Sequence, residues 1–191
     1  FTKNCTFINN FAQEGGAIFI VAGVGIVSGV SSNIDSCIFS LNQGTVRGGA
    51  IHNQNGVTSI SNSKFNNNWS NGRGGAINNL AGFANIYNSI FSNNLSNSDG
   101  GAVSTSNSSI AFEMINCVFA YNKTLAGYGG AVLNEYGNGT YTNCLFIKDS
   151  SSFSGNTSLF SIFEVNWLVT LLAFITFDCL ANSKFLKLSL S

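Results

Sequence analysis

Even the most polar stretches of this chain carry core-forming residues at regular intervals. Residues 62–79, NSKFNNNWSNGRGGAINN, set one Phe and one Ile among Asn, Ser and Gly, and a closely similar stretch returns 26 residues later as NSIFSNNLSNSDGGAVST. Two motifs alternate throughout. F-x-x-N occurs as Phe7/Asn10, Phe39/Asn42, Phe65/Asn68, Phe91/Asn94 and Phe119/Asn122, with FIKD at 146–149 as a variant. G-G-A-[IV] begins at Gly15/Gly16/Ala17, Gly48/Gly49/Ala50, Gly74/Gly75/Ala76, Gly100/Gly101/Ala102 and Gly129/Gly130/Ala131. Successive Phe positions lie 32, 26, 26, 28 and 27 residues apart. A period near 26 is shorter than the roughly 33–47 residues of the common helical repeats. It suits three short strands and three turns, one coil of a right-handed parallel β-helix. The expectation is an all-β solenoid of about six to seven coils.

In such a stack, equivalent residues form ladders along the axis. Phe7, Phe39, Phe65, Phe91, Phe119 and Phe146 then make an aromatic column in the core. Two residues earlier stand Cys5, Cys37, Ser63, Ser89, Cys117 and Cys144, small enough to sit inside beside the ring. Five earlier come Thr2, Ile34, Ile60, Ile86, Met114 and Tyr141. Positions five and two before Phe have opposite parity, so a straight strand cannot bury both. The bend falls on Asn4, Ser36, Asn62, Asn88, Asn116 and Asn143, mostly the residue type that accepts a left-handed backbone. The Asn closing F-x-x-N is assigned to a second corner, and Gly-Gly to the third.

Composition agrees. Charged residues are 8% of the chain against about 25% in ordinary domains, and proline is absent while glycine numbers 21. The net charge is zero and no basic block occurs, so nucleic acid is not an expected partner. The chain opens at Phe1, partway through a repeat, and reads as a piece of a longer surface protein. Residues 1–149 carry the repeats. Residues 150–191 are read as a degenerate last coil or an apolar cap. Membrane attachment through 159–177 is the weaker reading, because Glu164 interrupts a run that would need about 20 apolar residues. Within the second coil, VAGVGIVSGV (21–30) is expected to be an extruded turn.

The alternating motifs resemble the repeats of the chlamydial polymorphic membrane proteins and related adhesin-like surface proteins. More coarsely, the chain resembles the pectin-lyase-like fold. That resemblance implies a β-helical, autotransporter-passenger type of fold at the cell surface. It also implies adhesion to a host or neighbouring cell, through a receptor or glycan, by the GGA[IV] and FxxN copies named above. Two alternatives stand beside it: a carbohydrate-binding or polysaccharide-degrading β-helix, and a structural spacer.

Candidate chemistry is thin. The acidic residues Asp35, Asp99, Glu113, Glu135 and Asp149 share no column, so the paired carboxylates of a glycosidase are not visible. No cofactor or metal set is expected. His52 is read as a surface strand residue. The column before GGA, Glu14, Arg47, Arg73, Asp99 and Tyr128, suggests an exposed Arg73–Asp99 ion pair or a small recognition stripe. Cys5/Cys37 and Cys117/Cys144 stack on successive coils but at a spacing wider than a disulfide prefers, so buried thiols are expected. Trp69, Tyr121 and Tyr136 fall in turn columns and are candidate exposed contacts. A groove carrying two or more acidic or basic side chains within about 10 Å would count against adhesion and toward the glycan alternative; a flat Asn/Ser/Thr face would favour adhesion. NWS, NLS, NKT and NGT are sequons of use only to a host that glycosylates.

Overall fold

A computed structural model describes residues 1–22, 31–106, 112–135 and 139–152. These form a parallel β-helix with four strands to the coil, one more than the spacing predicted. The third coil is representative: Val57–Ser61 lies in sheet A, Lys64–Asn66 in sheet B, Trp69–Ser70 in sheet C and Ile77–Leu80 in sheet D. Sheets A, B and C each hold six strands and sheet D five, all paired in parallel with the equivalent strand of the next coil. The described chain therefore makes five full coils and part of a sixth, a little short of the expected count. No helix occurs among the described residues. The fourth strand escaped the pattern because sheet C contributes only two residues in most coils, too few to show alternation.

The predicted columns are in register. Phe7, Phe39, Phe65, Phe91, Phe119 and Phe146 stack at 4.7–4.9 Å with interplanar angles of 0–9°. The spacing is that of the strands, so backbone hydrogen bonding sets the ring separation. Ile34, Ile60, Ile86 and Met114 from sheet A and Ile51, Ile77 and Val103 from sheet D close around them, all 0–1% exposed.

The first corner is as expected: Asn4, Ser36, Asn62, Asn88, Asn116 and Asn143 all have φ of 49–55°. The second corner is not. There the left-handed residue is Asn9, Leu41, Asn67, Asn93, Tyr121 or Lys148, one before the recurring Asn. Asn42, Asn68, Asn94 and Asn122 instead point inward and are 0–1% exposed. Each Nδ2 donates to the next coil's Oδ1 (2.8–3.0 Å from Asn10 to Asp149). Its second hydrogen reaches the Phe carbonyl one coil back. The same Oδ1 also accepts the backbone N–H of the preceding Asn. Every polar atom of these amides is used, which is the condition for burying them.

The third corner needs two glycines for two reasons. Gly15, Gly48, Gly74, Gly100 and Gly129 have φ of 59–70°. The second glycine is crowded from the next coil: a Cβ on Gly75 would overlap the Gly101 carbonyl oxygen and lie 2.7 Å from the Leu95 backbone. A fourth corner, at Asn55 and Ala81 (φ 63° and 57°), joins sheet D to sheet A. Asn53 holds it through the Gly56 N–H and carbonyl.

Positions 150–152 add a short strand, Ser150–Ser151, to sheet C. Residues 153–191, and with them the cap or membrane reading of 159–177, lie outside the described residues, as do Cys179, Tyr136 and residues 23–30 of the extruded turn. No helix among the described residues is long and apolar enough to cross a membrane.

Candidate functional site

The motif residues that the family resemblance marks for adhesion are mostly enclosed. In the FxxN copies, Phe39, Phe65, Phe91 and Phe119 and Asn42, Asn68, Asn94 and Asn122 are buried, while Phe7 and Asn10 of the first coil are half-buried. In the GGA copies the first glycines, Gly15, Gly48, Gly74, Gly100 and Gly129, are all buried. Of the second glycines, Gly16, Gly49, Gly75 and Gly101 are buried and Gly130 is half-buried. Ala50, Ala76, Ala102 and Ala131 are at most 5% exposed, and Ala17, at the open end of the stack, is half-buried. The alanines also carry the ladder: the Ala50 carbonyl accepts the N–H groups of Ala17 and Ile18, and Ala76, Ala102 and Ala131 repeat this for the coil before each. A residue this enclosed offers a partner almost no side-chain surface. These positions therefore shape the coil, and the side chains a partner can reach are the ones between them.

Three outward surfaces can be separated. Sheet A presents a polar face that includes Asn33, Ser59, Asn85 and Glu113, aligned on successive coils. At its edge Asp35 collects Asn62 Nδ2, Ser61 Oγ and, at 3.4 Å, Lys3 Nζ. Hydrogen bonds from Asn62 and Ser61 lead the causes that hold the Asp35 carboxyl down at about 2.

The edge between sheets B and C is different. Outward positions on sheet B carry Ile38, Lys64, Ile90, Val118 and Leu145 in one column. Outward positions on sheet C carry Phe11, Gln43, Trp69, Leu95 and Lys123. Between them the corner exposes Leu41 and Tyr121, each more than half exposed, with Lys148 Nζ 5.8 Å from the Tyr121 ring. Trp69, assigned to a turn column, is thus half-buried on a strand; the two-residue length of that strand hid it. Tyr121 stands at a turn, exposed.

The third surface is the outer side of sheet D, where the corner before Gly-Gly leans over the strand. Phe19, His52, Asn78, Ser104 and Leu133 form the outward column. His52 is fully buried rather than exposed. It stacks on Phe19 at 5.2 Å and sets Nδ1 3.2 Å from the Asn78 carbonyl and 3.0 Å from the Asn78 side-chain amide. Burial pushes its pKa below the usual value, keeping the ring neutral. Alternation correctly made this position outward; the overhanging corner, which sequence spacing does not reveal, covers it.

On the corner, Arg73 Nε meets Asp99 at 3.0 Å and Nη1 meets Glu135 at 2.5 Å. The expected Arg73–Asp99 pair therefore forms, but Asp99 is only 7% exposed and Glu135, at the end of sheet D two coils on, joins it. Val46, Arg47, Gly72 and Arg73 on one side and Asn78, Leu80 and Ser106 on the other enclose a cleft of about 210 Å³. Arg47 and Arg73 pair through a parallel backbone bridge on neighbouring coils, and both residues line the cleft. Two basic residues thus line one cleft, with Arg73 held by Asp99 and Glu135.

The Cys/Ser column has a polar task beyond filling space. Ser63 Oγ accepts the Cys37 N–H at 3.1 Å, Ser89 Oγ accepts that of Ser63, and Cys37 Sγ lies 3.4 Å from the Cys5 N–H. Cys5, Cys37, Cys117 and Cys144 are free thiols. Burial raises the Cys37 pKa, and its contact with Cys144 together with burial raises that of Cys117, so both stay protonated. No cluster of three or more His, Cys, Asp or Glu suited to a metal occurs among the described residues.

Three stretches, residues 4–21, 36–54 and 88–106, match the family model of the Chlamydia polymorphic membrane protein repeat. Each match starts at a first-corner Asn or Ser and runs to the end of a sheet D strand. The matched unit is thus the part of the coil built by FxxN and GGA[IV], without sheet A. No curated protein and no solved structure matches the chain.

Proposed function

We propose that these polymorphic-membrane-protein repeats form an adhesin-like, non-enzymatic segment of a cell-surface protein that attaches to a host or neighbouring cell. The supporting observation is the B–C edge: Phe11, Ile38, Leu41, Ile90 and Tyr121 are each 41–69% exposed along one side of a rigid stack. Aligned apolar side chains on an exposed surface mark contact sites. Repetition at the strand spacing lets weak contacts act together, so binding strength grows with the number of coils engaged. The polar face expected to make contact is present on sheet A, but it lacks the aromatic and aliphatic anchors that dominate binding energy. Against a polysaccharide-degrading role, Asp99 and Glu135 are both held in ion pairs with the same guanidinium of Arg73.

The test is attachment of the labelled full chain to cultured cells, compared with a Trp69→Ser/Leu95→Ser/Tyr121→Ser variant. The reading expects at least a tenfold loss of attachment with an unchanged melting temperature. Equal attachment by the variant would remove the B–C edge from the mechanism. Absence of attachment by the parent would favour a spacer.

A further inference from the structure

The cleft outside sheet D has a chemistry that the B–C edge does not use. Arg73 is already neutralised by Asp99 and Glu135. Arg47 is half-buried at the same cleft, and among the described residues no carboxylate lies within ion-pair distance of it, although Glu14 is its register partner one coil back. A half-buried guanidinium with no anion is an incomplete pairing, and its planar donor fork matches a carboxylate. Asn78, which also lines the cleft, is 1% exposed and among the described residues its Oδ1 has no hydrogen-bond partner, while Ser106, 5% exposed, adds a hydroxyl. A buried polar atom left unpaired is costly, so a ligand that supplies a donor there is favoured. Leu80 and Val46 provide an aliphatic flank. The volume of about 210 Å³ is below the roughly 300–1,000 Å³ of drug-sized sites. It suits one ring.

We propose that this cleft binds a carboxylate-bearing sugar, a uronate or sialate unit of a glycan. Arg47 pairs with the carboxylate, Asn78 and Ser106 take ring hydroxyls, and Leu80 packs on the C–H face. An acidic peptide side chain would satisfy Arg47 but brings no hydroxyl to Asn78. The site lies on a different face from the B–C edge, so it stands or falls apart from the adhesion reading.

The experiment titrates the isotope-labelled full chain with glucuronate and N-acetylneuraminate, with glucose as the neutral control and a glutamate-rich peptide as competitor. The expected result is saturable shifts of the Arg47, Arg73 and Asn78 amides by an acidic sugar, none by glucose, and weakening as salt is raised. R47Q should bind at least tenfold more weakly at an unchanged melting temperature. Should R47Q misfold, the contrast between glucuronate and glucose on the parent chain decides alone. Equal binding of both sugars, equal binding by a folded R47Q, or no saturation by either acid overturns the proposal. Tighter binding of the peptide overturns it in favour of an acidic protein partner.

Discussion

Replacing Asn68 by Ala tests the asparagine ladder directly. The substitution deletes four hydrogen bonds: Asn68 Nδ2 to Asn94 Oδ1 and to the Phe39 carbonyl, and those that Oδ1 accepts from the Asn42 N–H and Nδ2. Asn94 Oδ1 keeps the Asn68 backbone donor, but two Asn42 donors are stranded in a fully buried position. At about 1–3 kcal/mol for each of the two stranded groups, the expected loss is about 2–6 kcal/mol. That is a large share of the roughly 5–15 kcal/mol that holds a domain together. Equilibrium urea unfolding of the full chain followed by circular dichroism measures it. Asn66→Ala is the control: Asn66 is half-buried, its side-chain amide donates to Ser40 Oγ at 3.1 Å, and the substitution should cost about 1 kcal/mol or less. Asn68→Asp keeps the acceptor but loses the donors and adds a buried charge; its deficit should shrink as acid restores a proton. A loss for Asn68→Ala below about 1 kcal/mol at an unchanged denaturant slope would refute the claim that the ladder is stabilising.

Other expectations follow from the same geometry. Asp149 is the last ladder member among the described residues; burial raises its pKa from 3.8 to about 6, and its Oδ2 has no hydrogen-bond partner among them. The folded state therefore holds a proton the unfolded state releases, and stability falls as pH rises from about 4 to 6. Asp149→Asn, which can donate like the other ladder residues, should exceed the parent by up to about 3 kcal/mol at a pH of about 7.5, from about 1.4 kcal/mol per pKa unit. The gap should close near pH ~4 in urea unfolding, and a constant gap would contradict the assignment. Gly75→Ala forces a methyl into the Gly101 carbonyl and should cost more than about 3 kcal/mol or prevent folding. Ala81→Gly at φ 57° should instead raise the melting temperature, by relieving about 1 kcal/mol of left-handed strain.

Much of the fold is visible in one dimension because a solenoid turns sequence period into spatial neighbourhood. The Phe stack, the first-corner asparagines and the Arg73–Asp99 pair all follow from reading columns one coil apart. The misassigned second corner shows the limit. Asn9, Leu41, Asn67, Asn93, Tyr121 and Lys148 have φ of 51–58° yet no common chemistry, so the corner left no signature. The recurring Asn beside it drew attention because it repeats, but it repeats for an interior reason. Both roles suit asparagine: a left-handed backbone tolerates it, and an amide both donates and accepts along a ladder.

Gly-Gly likewise announced a turn but not the contact of its second residue with the coil above. The buried state of His52 and the cleft beside Asn78 were out of reach for a related reason. They depend on how far one corner leans over the next sheet, which is a matter of angles and not of spacing. Period, residue type and order were enough to determine the parallel stacking, the first corner and the aromatic core, because each is set by contacts between equivalent positions. The outward chemistry was decided only by the tertiary structure, since exposure depends on inequivalent segments meeting across a corner, and no repeat encodes that distance.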